Sequence, residues 1–121
     1  MLFVVHKHQA KRAGLHYDLR LEHGASLESY VLPKGFPTHK GEKRLAIKVE
    51  DHPLEVAGFE GVIEEGYGAG DMEIWDQGEF SVEAWRPDYK ELDFLGDKLV
   101  GTYGLRHWEG PRWLMFKRFQ G

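Results

Sequence analysis

Leu15-His16-Tyr17-Asp18-Leu19-Arg20-Leu21-Glu22 alternates without a break between apolar and polar residues. A period of two is that of a β-strand, whose successive side chains point to opposite faces. Leu15, Tyr17, Leu19 and Leu21 are therefore expected to face a core, and His16, Asp18, Arg20 and Glu22 to line the other side. Neighbours along that second side stand roughly 7 Å apart. An imidazole, a carboxylate and a guanidinium in one row can hold a metal and an anion together.

Outward from this stretch the chain keeps the same character. Fifteen glycines and five prolines punctuate short alternating segments, and no helical period persists for more than about two turns. The expected strands are Leu2 to His6, Leu15 to His23, Ser29 to Leu32, Arg44 to Glu50, Met72 to Trp75, Glu79 to Trp85, Leu99 to Leu105 and Trp113 to Phe119. Pro87 to Leu95 reads as a short helix or an irregular excursion, and Glu65-Gly66-Tyr67-Gly68-Ala69-Gly70 as a tight turn, since it lacks the lysine and helix of a P-loop. The fold class expected is all-β: a small closed barrel of about eight mainly antiparallel strands with at most one or two short helices, because closure removes exposed edges. One domain is expected over residues 1–121, long enough to bury roughly two thirds of its unfolded surface.

Cysteine is absent, so disulfides and thiolate metal sites are excluded, any metal must be held by histidine and carboxylate, and a reducing cytoplasm is the expected setting. The apolar start Met1 to Val5 is far shorter than the roughly 20 residues of a membrane span and reads as a first strand. The net charge of −4 is unevenly spread: residues 1–50 carry +4, residues 51–97 carry −12 and residues 98–121 carry +4. Screening limits each charge to about 8 to 10 Å, so a basic segment bearing the His/Asp row can attract phosphate whatever the total.

Arg44 to His52 repeats the pattern, with Leu45, Ile47 and Val49 on one side and Arg44, Lys48, Glu50 and His52 sharing the other parity. This second row is expected to face the first across a lumen or groove. His16 and Asp18 with a further histidine, His8 first and His6 second, would make a set of two imidazoles and one carboxylate, which suits Mn²⁺, Fe²⁺ or Zn²⁺. Spacing alone also allows a structural role. Arg20, Arg44 and Lys34 are donors of the kind that recognise phosphate oxygens, and His52 ends its strand where its ring could donate to one.

In order along the chain, Phe3-Val4-Val5-His6-Lys7-His8, Leu15 to Glu22, Pro33-Lys34-Gly35, Lys43-Arg44-Leu45-Ala46, Val49-Glu50-Asp51-His52-Pro53-Leu54, Phe59-Glu60-Gly61-Val62-Ile63, Tyr67-Gly68-Ala69-Gly70 and Trp113-Leu114-Met115-Phe116-Lys117 resemble the 3′-phosphoesterase module of bacterial DNA ligase D proteins and its stand-alone archaeal and bacterial versions. The resemblance implies a Mn²⁺-dependent enzyme, with Co²⁺ and Zn²⁺ as alternatives, that removes a 3′-terminal ribonucleoside to leave a 3′-phosphate and then hydrolyses the phosphate to a 3′-OH. It implies His8, His16 and Asp18 as metal ligands, Arg20 and His52 on the scissile phosphate, and Arg44 and Lys34 as phosphate-side helpers. The substrates implied are DNA or DNA-RNA 3′ ends of a primer-template, healed before end joining by a separate ligase and polymerase, in a monomeric, prokaryotic, cytoplasmic protein with no membrane partner.

Three departures from the family pattern stand out. Val56 occupies the place of a common tyrosine, with Tyr67 as a substitute; Gln9 to Leu15 lengthen the interval between the ligand histidines, which calls for a bulge or wider loop; and the amino-terminal extension of some relatives is not seen. Two rivals are weighed. An iron and 2-oxoglutarate oxygenase would use His16, Asp18 and His52, but no arginine follows His52 before Arg86. A non-catalytic module that binds DNA ends for a separate ligase or polymerase is the other. A nucleotidyl-transferring lysine motif, Lys-x-Asp-Gly, is absent, which excludes ligase chemistry in this chain.

Overall fold

A computed structural model of the protein describes residues 1–64 and 69–118. Among the described residues the chain forms nine strands: β1 (Leu2–Ala10), β2 (Gly14–His23), β3 (Ser26–Leu32), β4 (Lys43–Pro53), β5 (Gly61–Ile63), β6 (Gly70–Arg86), β7 (Tyr89–Leu95), β8 (Val100–Glu109) and β9 (Arg112–Lys117). They pair in the order β1-β2-β3-β4-β9-β8-β7-β6, every pair is antiparallel, and β6 returns to β1, so eight strands close a barrel. The all-β closed barrel expected from the sequence is the fold observed. β5 adds to the first residues of β6, and the helical piece among the described residues is a 3-10 turn, Leu54–Gly58.

Alternation places every second side chain inside. Phe3, Val5, Leu19, Leu21, Tyr30, Leu32, Ala46, Phe80, Leu92, Phe94, Tyr103, Leu105, Trp113 and Met115 fill the lumen, which is a packed core and no channel. Leu15, expected in that core, lies beside the turn of the β1–β2 hairpin and is exposed. The filling is not wholly apolar. Lys90 Nζ donates to Glu28 Oε1 and to the Tyr30 hydroxyl, each at 2.7 Å, and lies 4.2 Å from the Trp113 ring centre and 4.8 Å from that of Trp85.

Several boundaries differ from the expected ones. The segment Pro87 to Leu95 contains a barrel strand, β7, in place of a helix or excursion. Met72 to Trp75 and Glu79 to Trp85 are parts of the single strand β6, which runs through Asp76, Gln77 and Gly78. The buried Asp76 carboxylate accepts backbone N–H groups of Gln77, Asp97, Lys98 and Leu99 and so pins the β7–β8 turn to β6. Where β6 starts against β1, Gly70 has φ of +144°, and a Cβ there would stand 2.1 Å from the Gln9 carbonyl oxygen, so only glycine fits. Of the turn expected at 65–70, residues 65–68, Tyr67 among them, lie outside the described residues, as does Phe119. No helix among the described residues is long and apolar enough to cross a membrane.

Candidate metal and phosphate site

The polar row of β2 lies on the outer wall of the barrel, opposite the core residues Leu19 and Leu21. β1 pairs with β2 in unbroken register from Phe3↔Leu21 to Ala10↔Gly14, which sets His8 directly across from His16 and His6 across from Asp18. The longer interval between the two histidines is therefore a plain hairpin, with neither the bulge nor the wide loop that the sequence had called for. The rings of His8 and His16 lie 4.7 Å apart between centres. Asp18 Oδ2 is 3.5 Å from His8 Nδ1, and Asp18 Oδ1 is 3.3 Å from His16 Nε2.

Those three groups present one donor atom each within 4.8 Å of one another. Two imidazoles and a carboxylate gathered this closely are the donor types that hold a divalent transition metal, with each imidazole nearest a different oxygen of Asp18. Burial alone would raise the Asp18 carboxyl, but the His16 hydrogen bond and the charges of Arg20, His16 and His8 outweigh it and hold the group below the usual carboxylate range. An ionised, buried carboxylate between two imidazoles is a donor set ready for a cation. His6, the second choice as third ligand, is not part of it.

Arg20 is the hub beside this cluster. Its guanidinium is buried and donates from Nη2 to Asp18 Oδ2 at 3.4 Å, from Nε to His6 Nδ1 at 3.1 Å, and from Nη1 to Ser29 Oγ at 3.3 Å and His52 Nδ1 at 3.1 Å. The Phe59 carbonyl, 2.9 Å from His6 Nε2, can only accept, so the His6 proton sits on Nε2 and Nδ1 is left to accept from Arg20. By the same reasoning His52 accepts through Nδ1 and keeps its proton on Nε2. Burial first, and the Arg20 charge after it, lower both rings below the ordinary histidine value.

His52 reaches this side through an irregularity. Leu27 pairs with His52 but Ser29 pairs with Val49, so one extra β4 residue is inserted. The bulge reverses parity and turns His52 toward Arg20. Arg44, before the bulge, stays on the inward side opposite Met115 and donates to Glu42 Oε2 at 3.0 Å. The second polar row therefore divides: His52 joins the first row and Arg44 does not. Lys34 is exposed in the turn after β3.

Two adjoining cavities open here. One, of about 290 Å³, is lined by His8, His16, Asp18, Arg20, Glu50 and His52 among others. The second, of about 460 Å³, is lined by Arg20, His52, Glu55, Val56, Phe59, Ile63 and Met72. Neither includes Lys34 or Arg44. Residues 54–63 form the far wall, fixed to the barrel by the His6–Phe59 bond and by Glu60, which accepts the Ile74 N–H. Ser29 and Phe59 were given no site role from the sequence, though Phe59 stands in one of the quoted landmarks; Ser29 follows the alternation of β3, whereas Phe59 acts through a backbone carbonyl that no side-chain pattern reports.

Residues 6–107 match the model of the DNA ligase D 3′-phosphoesterase domain. The chain belongs to that family. Among its relatives is the multifunctional non-homologous end joining protein LigD of Mycolicibacterium smegmatis, 43% identical over 124 residues covering 93% of this chain and 16% of the relative. The protein of the same name from Pseudomonas aeruginosa is 51% identical over 114 residues, 85% of this chain and 13% of the relative. A LigD protein of Mycobacterium tuberculosis is 42% identical over 117 residues, covering 93% of this chain and 15% of the relative. The chain thus spans less than a fifth of the length of these relatives. The β2 row of His16, Asp18 and Arg20 lies within the matched residues.

Proposed function

We propose that this 3′-phosphoesterase family member heals nucleic-acid 3′ ends, cutting a terminal ribonucleoside to leave a 3′-phosphate and then converting the phosphate to a 3′-OH. The observation that carries the reading is the buried Arg20 guanidinium held between the Asp18–His16–His8 cluster and His52. Nothing in a β-barrel's folding requires a buried arginine with four polar side-chain partners beside a cation site. A phosphate oxygen is the ligand for which such a fork is suited.

His8, His16 and Asp18 would hold Mn²⁺, with Co²⁺ or Zn²⁺ as alternatives. Bound there, the ion supplies Lewis-acid neutralisation of phosphoryl charge. Arg20 stabilises charge that builds on the equatorial oxygens. His52, with its proton on Nε2 and a lowered basicity, donates a hydrogen bond to a phosphoryl oxygen and orients it. In the diester step, a water oxygen bonds to phosphorus and the bond to the 5′-oxygen of the terminal nucleoside breaks. The nucleoside leaves as its 5′-alcohol, carrying a proton derived from the water. In the monoester step the same attack releases inorganic phosphate and the 3′-OH.

Lys34 and Arg44 line neither cavity, so in this reading they attract the anionic strand at longer range. The substrates are DNA or DNA-RNA 3′ ends of a primer-template. A separate ligase and polymerase, working in the same cytoplasm, would consume the 3′-OH, and the names of the relatives support a place in end joining. The test is a 5′-labelled primer-template ending in a ribonucleotide, incubated with Mn²⁺ or EDTA beside His16→Ala. Mn²⁺-dependent conversion to a 3′-phosphate and then a 3′-OH, lost in the variant, is expected. A wild type that binds the duplex without altering its end would overturn the reading.

A further inference from the structure

Arg20, His52, Ile63 and Met72 line both cavities, so they form the boundary between them. On one side stand His8, His16 and Asp18; on the other stand Glu55, Val56 and Phe59. Displacement at phosphorus runs in line, with the entering and departing oxygens on opposite sides of the phosphorus atom. A phosphate seated on Arg20 and His52 and attacked from the Asp18 side expels its leaving group toward Val56 and Phe59.

We infer that this second cavity seats the terminal nucleoside that departs in the diester step, with the Phe59 ring as the platform on which its base stacks. The inference rests on the phosphoesterase reading above. Its volume of about 460 Å³ falls within the usual range of small-molecule sites, about 300 to 1,000 Å³. The wall made by Val56, Phe59, Ile63 and Met72 is apolar, which matches the flat face of a base. Phe59 is 39% exposed, and among the described residues its ring stacks on no other. The platform is also held in place: the Phe59 N–H donates to the Val56 carbonyl at 3.1 Å, and its own carbonyl accepts from His6. Single-stranded ends are commonly read by stacking their bases on aromatic rings in this way.

In the monoester step the departing group is the primer's own 3′-oxygen, whose nucleoside is held by its paired strand, so stacking on Phe59 serves the first step, which releases a free nucleoside, far more than the second. The experiment compares wild type, Phe59→Ala and Phe59→Trp on three primers: one ending in a ribonucleotide, one in an abasic ribose and one in a 3′-phosphate. Because the anchoring bonds of Phe59 are backbone bonds, the alanine variant keeps them. Phe59→Ala is expected to lose about 10-fold or more in kcat/KM on the ribonucleotide end, chiefly through KM, and several-fold less on the other two. Phe59→Trp is expected to restore the ribonucleotide end. Equal losses on all three primers, or none, would overturn the platform. If the wild type cuts no primer, the phosphoesterase reading itself fails, and adenosine and ribose titrations judge the platform separately. Adenosine binding that exceeds ribose binding, with the difference lost in Phe59→Ala, supports it; equal binding refutes it.

Discussion

Replacing Lys90 by methionine removes the cation hydrogen-bonded to Glu28 and Tyr30 in the barrel's interior and leaves those partners in place. Lys90 Nζ has hydrogen bonds of 2.7 Å to Glu28 and to Tyr30, and both members of the ion pair are buried. Without it the Glu28 carboxylate keeps the Tyr30 hydroxyl, His23 at 4.0 Å and the charge of Lys48. Breaking a buried pair by deleting one partner costs about 3 to 5 kcal/mol. Cation–π contact with Trp85 and Trp113 adds to the loss, and the apolar methionine stem offsets part of it. We expect Lys90→Met to lose about 3 to 4 kcal/mol, or roughly 10 to 20 °C in Tm for a domain of this size. Urea unfolding followed by tryptophan fluorescence measures it.

The Glu28→Gln/Lys90→Met double variant should recover at least about 2 kcal/mol relative to the sum of the singles. Burial raises Glu28, but the Lys90 and Tyr30 hydrogen bonds outweigh it and leave the carboxyl lowered. Its contribution is therefore present above about pH 4.5 and lost as pH falls through the lowered value. In Lys90→Met burial is opposed by the Tyr30 hydrogen bond and the Lys48 charge without the Lys90 pair, so the deficit should narrow on acidification. A loss under about 1 kcal/mol, or a double variant no better than the singles, would refute the argument.

Three further outcomes are expected. Asp76→Ala strands four backbone N–H groups and should cost about 2 to 4 kcal/mol, with faster amide exchange at residues 97–99 as the local sign. Arg20→Lys keeps the charge but loses the fork, and should lower kcat/KM on a 3′-phosphate primer about 100-fold or more while Mn²⁺ affinity, read by calorimetry, holds. His6 has a lowered value when folded, so its neutral form contributes stability that is full above about pH 6.5 and falls as pH drops toward the lowered value. Metal-free wild type should thus lose more stability between pH 7 and pH 5 than His6→Gln, by urea titration at both pH values.

The fold was legible where alternation ran clean, as along β2, where the same pattern also displayed the His16–Asp18–Arg20 row. It was obscured where a polar side chain takes an inward position. Lys90 stands where β7 should show an apolar residue, between Tyr89 and the inward Leu92 and Phe94, and the segment lost the signature of a strand. Asp76 had the same effect in the middle of β6. Parity arguments failed at β4 for a different reason: a bulge changes which residues share a face without changing their types, so His52 and Arg44 parted company. The contribution of Phe59 rests on contacts between segments 53 residues apart, His6 and Phe59, which no local pattern encodes.

Because the barrel's interior is solid, the row of reactive groups lies on its outside, where among the described residues it is roofed along one flank by residues 54–63. An enclosed lumen would admit only what can thread into it, and would set an upper limit on the girth of what it serves. A wall-mounted site sets none. On the proposed reading it would receive just the last units of a chain, while the remainder, however long, double-stranded or occupied by other proteins, continued past the barrel into open solvent.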